Sequence, residues 1–192
     1  MTRLYLIRHG RPGAVWGGSD PDPGLDATGH AQARKAAQAL LALPEAERPI
    51  RVVSSPLRRC RETAAPLAEA LGAEVRIDPL VGEIPTPRAL TAPERGPWLR
   101  EAMAGTWAGI VGDLDYEAWR AGVAAAVLAA AEAGPCAVFS HFVAINGVLS
   151  LLAGRAEVIV LRPDHASCTV LEAGPEGLRL IQAGPEAATS VA

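Results

Sequence analysis

The sequence is almost without lysine. Of its 18 basic side chains one is Lys35, which leaves 17 arginines in a chain of 192 residues. A Walker-type phosphate loop closes on a lysine after its glycines, and a Schiff-base enzyme needs a desolvated one. Lys35 lies in the Ala/Gln-rich stretch from Ala31 to Leu43, which suits neither. Cysteine is also scarce: Cys60, Cys136 and Cys168 are an odd number at wide spacing with no CxxC pair, and they read as buried thiols in a reducing compartment. Thiol phosphatases need an arginine six positions after the cysteine, but Pro66, Phe142 and Gly174 stand there, so that class is excluded. Long apolar runs are missing too. No segment approaches the roughly 20 apolar residues of a membrane span, and Arg8 interrupts the first apolar run before it could serve as a signal-peptide core. A soluble, cytoplasmic protein is expected. With net charge -3 and a pI of about 5.8, a generally basic nucleic-acid surface is not expected either.

What the sequence does contain is enough apolar material, 49%, for one domain over residues 1–192 with a core that needs no staples. Its arginines offer planar forks of donors that match phosphate or carboxylate oxygens in pairs. The excess itself is what an alanine- and arginine-rich, GC-rich genome produces, so position must separate functional arginines from solvated ones. Arg34, Arg48, Arg51, Arg76, Arg120, Arg155 and Arg179 occur where a solvated charge suffices.

Apolar periodicity orders the elements. Leu4–Ile7 reads as a buried strand running into Arg8-His9-Gly10, and a Gly/Pro/Asp-rich loop leads to a helix over Thr28–Leu43. Ile50–Val53 is a second strand. Ser54-Ser55-Pro56 then reads as a helix start, a capping serine followed by proline, with the helix reaching about Leu71, kinked at Pro66 and ended by Gly72. Glu74–Ile77 is a brief third strand. The Pro-rich segment 79–112 reads as a lid or substrate-pocket insertion more than a core element. An alanine-rich helix over Asp113–Ala133, a strand over Cys136–Phe139, a helix over Phe142–Leu152 and two strands over Ser167–Glu172 and Leu178–Gln182 complete the chain before a small-residue tail expected to fray. Alternating strands and helices predict an α/β fold: a three-layer α/β/α sandwich with a mostly parallel central sheet and helices on both faces.

Unusual polar residues collect at three strand ends: Arg8-His9, Ser54-Ser55 leading to Arg58-Arg59, and Ser140-His141. In a doubly wound sheet those loops face one crevice. A phosphoryl group suits such a pocket, because arginine forks and helix N-terminal amides neutralise its charge, and an unprotonated imidazole can attack phosphorus. A lone histidine at a strand end is more often structural; the coincidence of three strand ends favours a site.

These residues resemble a known family. Leu6-Ile7-Arg8-His9-Gly10, Leu25 to Ala33, Ser54-Ser55-Pro56-Leu57-Arg58-Arg59-Cys60-Arg61-Glu62-Thr63-Ala64 and Ser140-His141 are similar, in order, to four linked motifs of the histidine phosphatase superfamily, the phosphoglycerate-mutase-like proteins. The resemblance implies His9 as nucleophile, Arg8 and Arg59 as phosphate clamps with Gly10 in the phosphate-binding turn, and His141 as a second imidazole on the phosphoryl group. Glu83 falls where the family places its proton donor; without that position it would read as a surface carboxylate in a turn. Departures are visible. Arg11-Pro12-Gly13 replaces the family's usual Glu-Thr after the glycine, Ile84-Pro85-Thr86-Pro87 replaces the stretch that follows its acid, and Phe142 replaces the glycine after its second histidine.

The resemblance implies a metal-independent phosphatase hydrolysing a small phosphate monoester through a phosphohistidine, with no cofactor. Phosphoglycerate-mutase-type phosphoryl transfer and a catalytically silent phosphate-binding regulator are the alternatives. A metal held by His9, His141 and His165 is disfavoured by the arginines beside them. Asp20-Pro21-Asp22 is explained by loop chemistry. His165 reads as structural or at the site edge, His30 as solvent-facing, and the roles of Arg11 and Arg58 stay open, as do the oligomeric state and whether Arg88, Arg95, Arg100, Trp98 and Trp107 touch a substrate.

Overall fold

The computed structural model describes residues 1–14 and 20–187; the tail expected to fray falls mainly on 188–192, outside them. Six strands and five helices are present among the described residues. In order they are β1 (Thr2–Arg8), α1 (Ala27–Leu41), β2 (Arg51–Ser54), α2 (Arg58–Leu71), β3 (Val75–Ile77), α3 (Ala92–Ala104), α4 (Tyr116–Ala130), β4 (Cys136–Ser140), α5 (Phe142–Leu152), β5 (Cys168–Gly174) and β6 (Gly177–Gln182). The sheet order is β3-β2-β4-β1-β5-β6. Pairings from β3 to β1 are parallel, and β5 runs antiparallel to both its neighbours. The sheet is thus mixed but mostly parallel, as the element order predicts.

Alternation along the strands produces the layers. Leu4, Leu6, Val53 and Val138 pack with α4 and α5 residues such as Val123, Val127, Ile145 and Val148. Their neighbours Tyr5, Ile7, Val52, Ala137 and Phe139 pack on the other side with Ala37, Leu40, Cys60, Ala64 and Leu67 of α1 and α2. Strand side chains alternate between faces, so runs apolar at every position must be covered twice. Small residues at helical spacing, Gly29, Ala33 and Ala37, let α1 lie close. None of the described helices is long and apolar enough to cross a membrane.

Several sequence expectations need correction. Ser54 and Ser55 do not cap α2; the helix begins at Arg58, and its first amide, that of Arg58, donates to Asp22 Oδ1 at 2.8 Å, a cap supplied from the preceding loop. As the sequence predicts, α2 nevertheless continues through Pro66 to Leu71. α4 starts at Tyr116, three residues later than expected, because the side chain of Asp115 accepts from Ala118 N at 3.0 Å while Asp113 accepts from Arg88 N. Cys60 and Cys136 are buried, but Cys168 is half-buried.

Arg120 is no solvated charge either. It is 8% exposed, lies over the Trp107 ring at 5.5 Å, donates to Ser150 Oγ and the Arg155 carbonyl, and pairs with Glu117 at 2.7 Å. Trp107 is equally fixed: it is 1% exposed and its indole N–H donates to Ser150 Oγ at 2.8 Å. It belongs to a third cluster with Ile84, Tyr116, Phe142, Val143 and Val158. The segment 79–112 is therefore anchored into the core on one side through Val81, Ile84, Ala102 and Trp107, while Arg88, Arg95 and Arg100 stay exposed. Trp107→Ala should lower unfolding stability by about 3–5 kcal/mol, the cost of a large aromatic cavity, with the Arg120 cation left facing it. Urea unfolding of the variant against wild type measures this.

Candidate active site

Strand register assembles the site. In the parallel β1–β4 pair, Arg8 stands opposite Ser140, and in β2–β4, Ser54 stands opposite Phe139. The next residues, His9, His141 and Ser55, therefore leave the sheet side by side at its carboxyl edge. Backbone bonds extend the ladder one step further: His9 N donates to Ser140 O at 3.0 Å and Ser55 N to Phe139 O at 3.0 Å. The two imidazole rings meet edge to face with centroids 5.2 Å apart.

Hydrogen-bond partners settle the state of both rings. His9 Nδ1 faces the Gly10 carbonyl at 2.8 Å, which can only accept, so Nδ1 carries the proton. Nε2 is then a lone pair, and Arg59 Nε donates to it at 3.3 Å. His141 is the reverse. Arg59 Nη2 donates to its Nδ1 at 3.2 Å, leaving the proton on Nε2, which meets Ser55 Oγ at 2.8 Å. One guanidinium thus spans the lone pairs of two neutral imidazoles.

Glycines make the turn after β1 possible. A Cβ on Gly10 would come within 2.7 Å of the Gly29 carbonyl oxygen, and one on Gly29 within 2.1 Å of the Arg11 carbonyl oxygen. The start of α1 therefore docks backbone to backbone on the turn that follows His9. Gly10 N donates to Thr63 Oγ1 at 2.9 Å, while its carbonyl is the group that meets His9 Nδ1.

Charge is the unusual quantity here. Arg8 and Arg59 are each 5% exposed, and among the described residues neither lies within ion-pair distance of a carboxylate; the third buried arginine, Arg120, has Glu117. Arg8 donates to the Pro163 carbonyl at 2.9 Å and to His165 Nε2 at 3.1 Å, sits 5.1 Å from the Phe142 ring centre, and has no partner for its buried Nε among the described residues. Glu83 is half-buried, and its Oε1 accepts from the backbone amides of Ile84, Val143 and Ala144 at 3.0–3.3 Å. It is thus fixed on the first turn of α5, next to His141.

Burial lowers the Arg8 guanidinium to about 10, still cationic at neutral pH. Burial, and then the Arg59 charge, hold His9 well below the usual imidazole range, against the pull of the Gly10 carbonyl. Burial also drives His141 down, with His9 and the two arginines adding to it. Burial pushes the Glu83 carboxyl up, and its backbone donors and Arg59 only partly offset this. An imidazole driven toward its unprotonated form beside a carboxyl driven toward its protonated form is a pairing that can serve acid-assisted group transfer.

Sequence reading brought His9, Arg8, Arg59, Glu83 and His141 to one crevice, and the structure brings them together. Arg11 and Arg58 do not join them: Arg11 is bound to Asp26 at 2.6 Å and to Thr28, and Arg58 to Glu62 at 2.6 Å. His30 is exposed, 3.8 Å from Glu62. Residues missed as contributors were Ser55, which fixes the His141 tautomer, Thr63, which holds Gly10, and Cys60, whose thiol lies 3.3 Å from His141 Nε2. Ser55 and Thr63 stand in the same motif as Arg59, which was their available signal.

Residues 4–184 match the histidine phosphatase superfamily (branch 1). The chain belongs to this superfamily. Among solved structures of similar chains, a mycobacterial glucosyl-3-phosphoglycerate phosphatase is 26% identical, with 97% of this chain and 100% of that one covered at a TM-score of 0.72. A phosphoserine phosphatase from Entamoeba histolytica, at 22% identity, TM-score 0.73 and 98% coverage of both chains, shares the fold. A probable phosphoglycerate mutase of Yersinia enterocolitica is 28% identical over 182 residues, 86% of this chain and 78% of that protein. The first curated relatives, uncharacterized proteins of two Mycobacterium tuberculosis strains, are 42% identical over 82 residues; that match covers 41% of this chain and about 38% of theirs. In this member of the superfamily burial keeps the two central imidazoles neutral, and this has a cost in acid.

His9, His141 and His165 all have folded values below the ordinary one of 6.5. The unfolded chain therefore takes up protons below about pH 6.5 that the folded one refuses. The stability these groups support is present above pH 6.5 and is lost as pH falls toward their folded values. Glu83, raised from 4.5, acts in the opposite sense, losing stability as pH rises through its folded value, but it is one group against three. Urea midpoints should fall from pH 7 to pH 5, and His141→Gln should flatten that slope.

Proposed function

We propose that this histidine phosphatase hydrolyses a small phosphate monoester in the cytoplasm, without metal, through phospho-His9. The observation that carries the reading is the pair of buried guanidiniums, Arg8 and Arg59, without a carboxylate partner among the described residues, around two neutral imidazoles. A buried cation left unpaired is costly; a phosphoryl dianion supplies the missing charge.

In the first step the substrate's oxygens draw the Arg59 fork off the two ring nitrogens. The freed Nε2 lone pair of His9 attacks phosphorus, the bond from phosphorus to the ester oxygen breaks, and Glu83 gives its proton to that oxygen. As the dianion binds, its charge raises the affinity of His141 for a proton; the ring takes one from solvent at Nδ1, donates from there to the phosphoryl group while Nε2–H stays on Ser55, and returns it to solvent when phosphate leaves. In the second step the Glu83 carboxylate takes a proton from water, the water oxygen bonds to phosphorus, and the phosphorus–nitrogen bond breaks. Phosphate leaves and Glu83 is protonated again. Arg8, Arg59 and His141 hold the equatorial oxygens throughout.

Mutase-type transfer is the second reading, favoured by the 28% identity to a probable phosphoglycerate mutase. It is distinguished by isomerisation of a phosphorylated glycerate without phosphate release. Residues 79–112, anchored on one side and exposed on the other, are proposed as the wall that meets the substrate's leaving group.

An aryl phosphate assayed in chelator should be turned over by wild type and not by His9→Ala, and an acid-labile phosphoenzyme should be trapped only with His9 present. Absence of turnover, or equal turnover in the variant, would refute hydrolysis through His9. Glu83→Gln should slow an alkyl phosphate by roughly 10²–10⁴-fold and an activated aryl phosphate much less, because a good leaving group needs no proton. Arg59→Lys should reduce kcat/KM by about 10–100-fold, since the charge survives while charge-assisted bonds worth about 1.5–3 kcal/mol are lost.

A further inference from the structure

His165 is the third imidazole at this site and the one that the proposed reaction leaves unused. Its ring centroid is 5.9 Å from that of His9, and its Nε2 lies 3.1 Å from Arg8 Nη2. A guanidinium has donors only, so Nε2 must be the acceptor and His165 must be neutral with its proton on Nδ1. With the Pro163 carbonyl on Nη1, both terminal nitrogens of Arg8 are held by uncharged acceptors from one turn.

That turn is pinned on every side. Ala166 adopts φ 57°, a left-handed conformation that a residue with a Cβ rarely takes, and its amide donates to the His9 carbonyl at 3.2 Å. Arg8 N donates to Ser167 O, Asp164 N to Pro185 O, and His165 N to Asp164 Oδ1. A strained backbone kept in place by bonds to the nucleophile strand marks a turn whose shape serves the site.

We infer that His165 is a positioning residue that holds the Arg8 fork as a neutral acceptor, keeping it aimed into the pocket while leaving its positive charge uncancelled for the phosphoryl group. A carboxylate at this point would hold the guanidinium equally well and would also neutralise it. The neutral imidazole gives the geometry without the charge. Burial, then the Arg8 cation, hold His165 down to about 4, so it stays an acceptor throughout the neutral range. The inference rests on reading the pocket as a phosphate site.

Three substitutions separate geometry from charge. Gln places an amide oxygen the same number of bonds from Cβ as Nε2, Glu places a charged oxygen there, and Ala removes the acceptor. Calorimetric titration of the full chain with inorganic phosphate, alongside aryl phosphate kinetics, should show His165→Ala weakening phosphate binding about tenfold, the scale of one hydrogen bond to a charged group. His165→Gln should return to within about threefold of wild type. His165→Glu should bind no better than His165→Ala although its thermal midpoint equals or exceeds that of wild type, because it gains an ion pair with Arg8. Phosphate bound by His165→Glu as tightly as by His165→Gln, or by His165→Ala as tightly as by wild type, would overturn the inference. Wild type that binds phosphate without turnover would overturn the hydrolytic reading alone, with the three variants still judged by binding. Wild type that does neither would overturn both.

Discussion

Two guanidinium charges buried with no carboxylate within ion-pair distance among the described residues constrain almost everything else in this protein. A cation taken from water into a low-dielectric interior costs several kcal/mol unless something in the fold compensates it. Arg120 is compensated conventionally, by Glu117 and by the face of Trp107. Arg8 and Arg59 are met instead by lone pairs of His9, His141 and His165 and by a carbonyl, so their hydrogen-bond partners are dipoles, while the charges of Glu83 and Asp164 act on Arg8 only from beyond ion-pair distance. The elements around them exist at a cost to stability that a rigid sheet and two covered faces can bear. Arg8 carries that cost at the carboxyl end of β1, one of the two central strands, and Arg59 in the first turn of α2.

The same arrangement sets the protonation of the groups that would react. An imidazole next to a cation, out of water, has no reason to accept a proton, and a carboxyl out of water has little reason to lose one. One circumstance, enclosure, therefore acts with opposite sign on the His9 imidazole and the Glu83 carboxyl, while the Arg59 charge lowers both. Ser55 and the Gly10 carbonyl then choose which nitrogen of each ring is bare. Both are backbone-fixed neighbours of the strands themselves, so ring orientation follows from strand position with few intermediate joints.

Much of this was legible in the sequence. Uninterrupted apolar runs such as Leu4–Ile7 and Cys136–Phe139 specify strands covered on both faces, and polar residues at their ends must collect at one edge of a parallel sheet. Arg8, His9, Arg59 and His141 could therefore be grouped before any coordinates. What could not be read were contacts made across long separations. The cap on α2 comes from Asp22 in a loop 36 residues earlier, so the adjacent serines were a misleading signal. Arg120 looks solvated in a helix of alanines because its partners, Ser150 and the Arg155 carbonyl, lie 30 and 35 residues away. Trp107 stands in a Pro-rich stretch that reads as a loop, yet it fills the space between α4 and α5. Periodicity registers which face of a helix is apolar and is silent on what an isolated polar or aromatic residue will meet.

The pairing of Arg8 with Ser140 has a consequence for how errors in this protein would appear. Sliding β1 along β4 by one residue would turn Leu4 and Leu6 toward the layer that now takes Tyr5 and Ile7, exchanging the contents of two filled compartments. The smallest slide that respects both compartments is two residues, about 6.6–6.8 Å along the strand, which would carry His9 beyond reach of His141. There is no graded misalignment between these positions. The distance between the two imidazoles is thus quantised by the core beneath them: packing defects can loosen the protein as a whole, but the two rings stand either on adjacent rungs or out of contact.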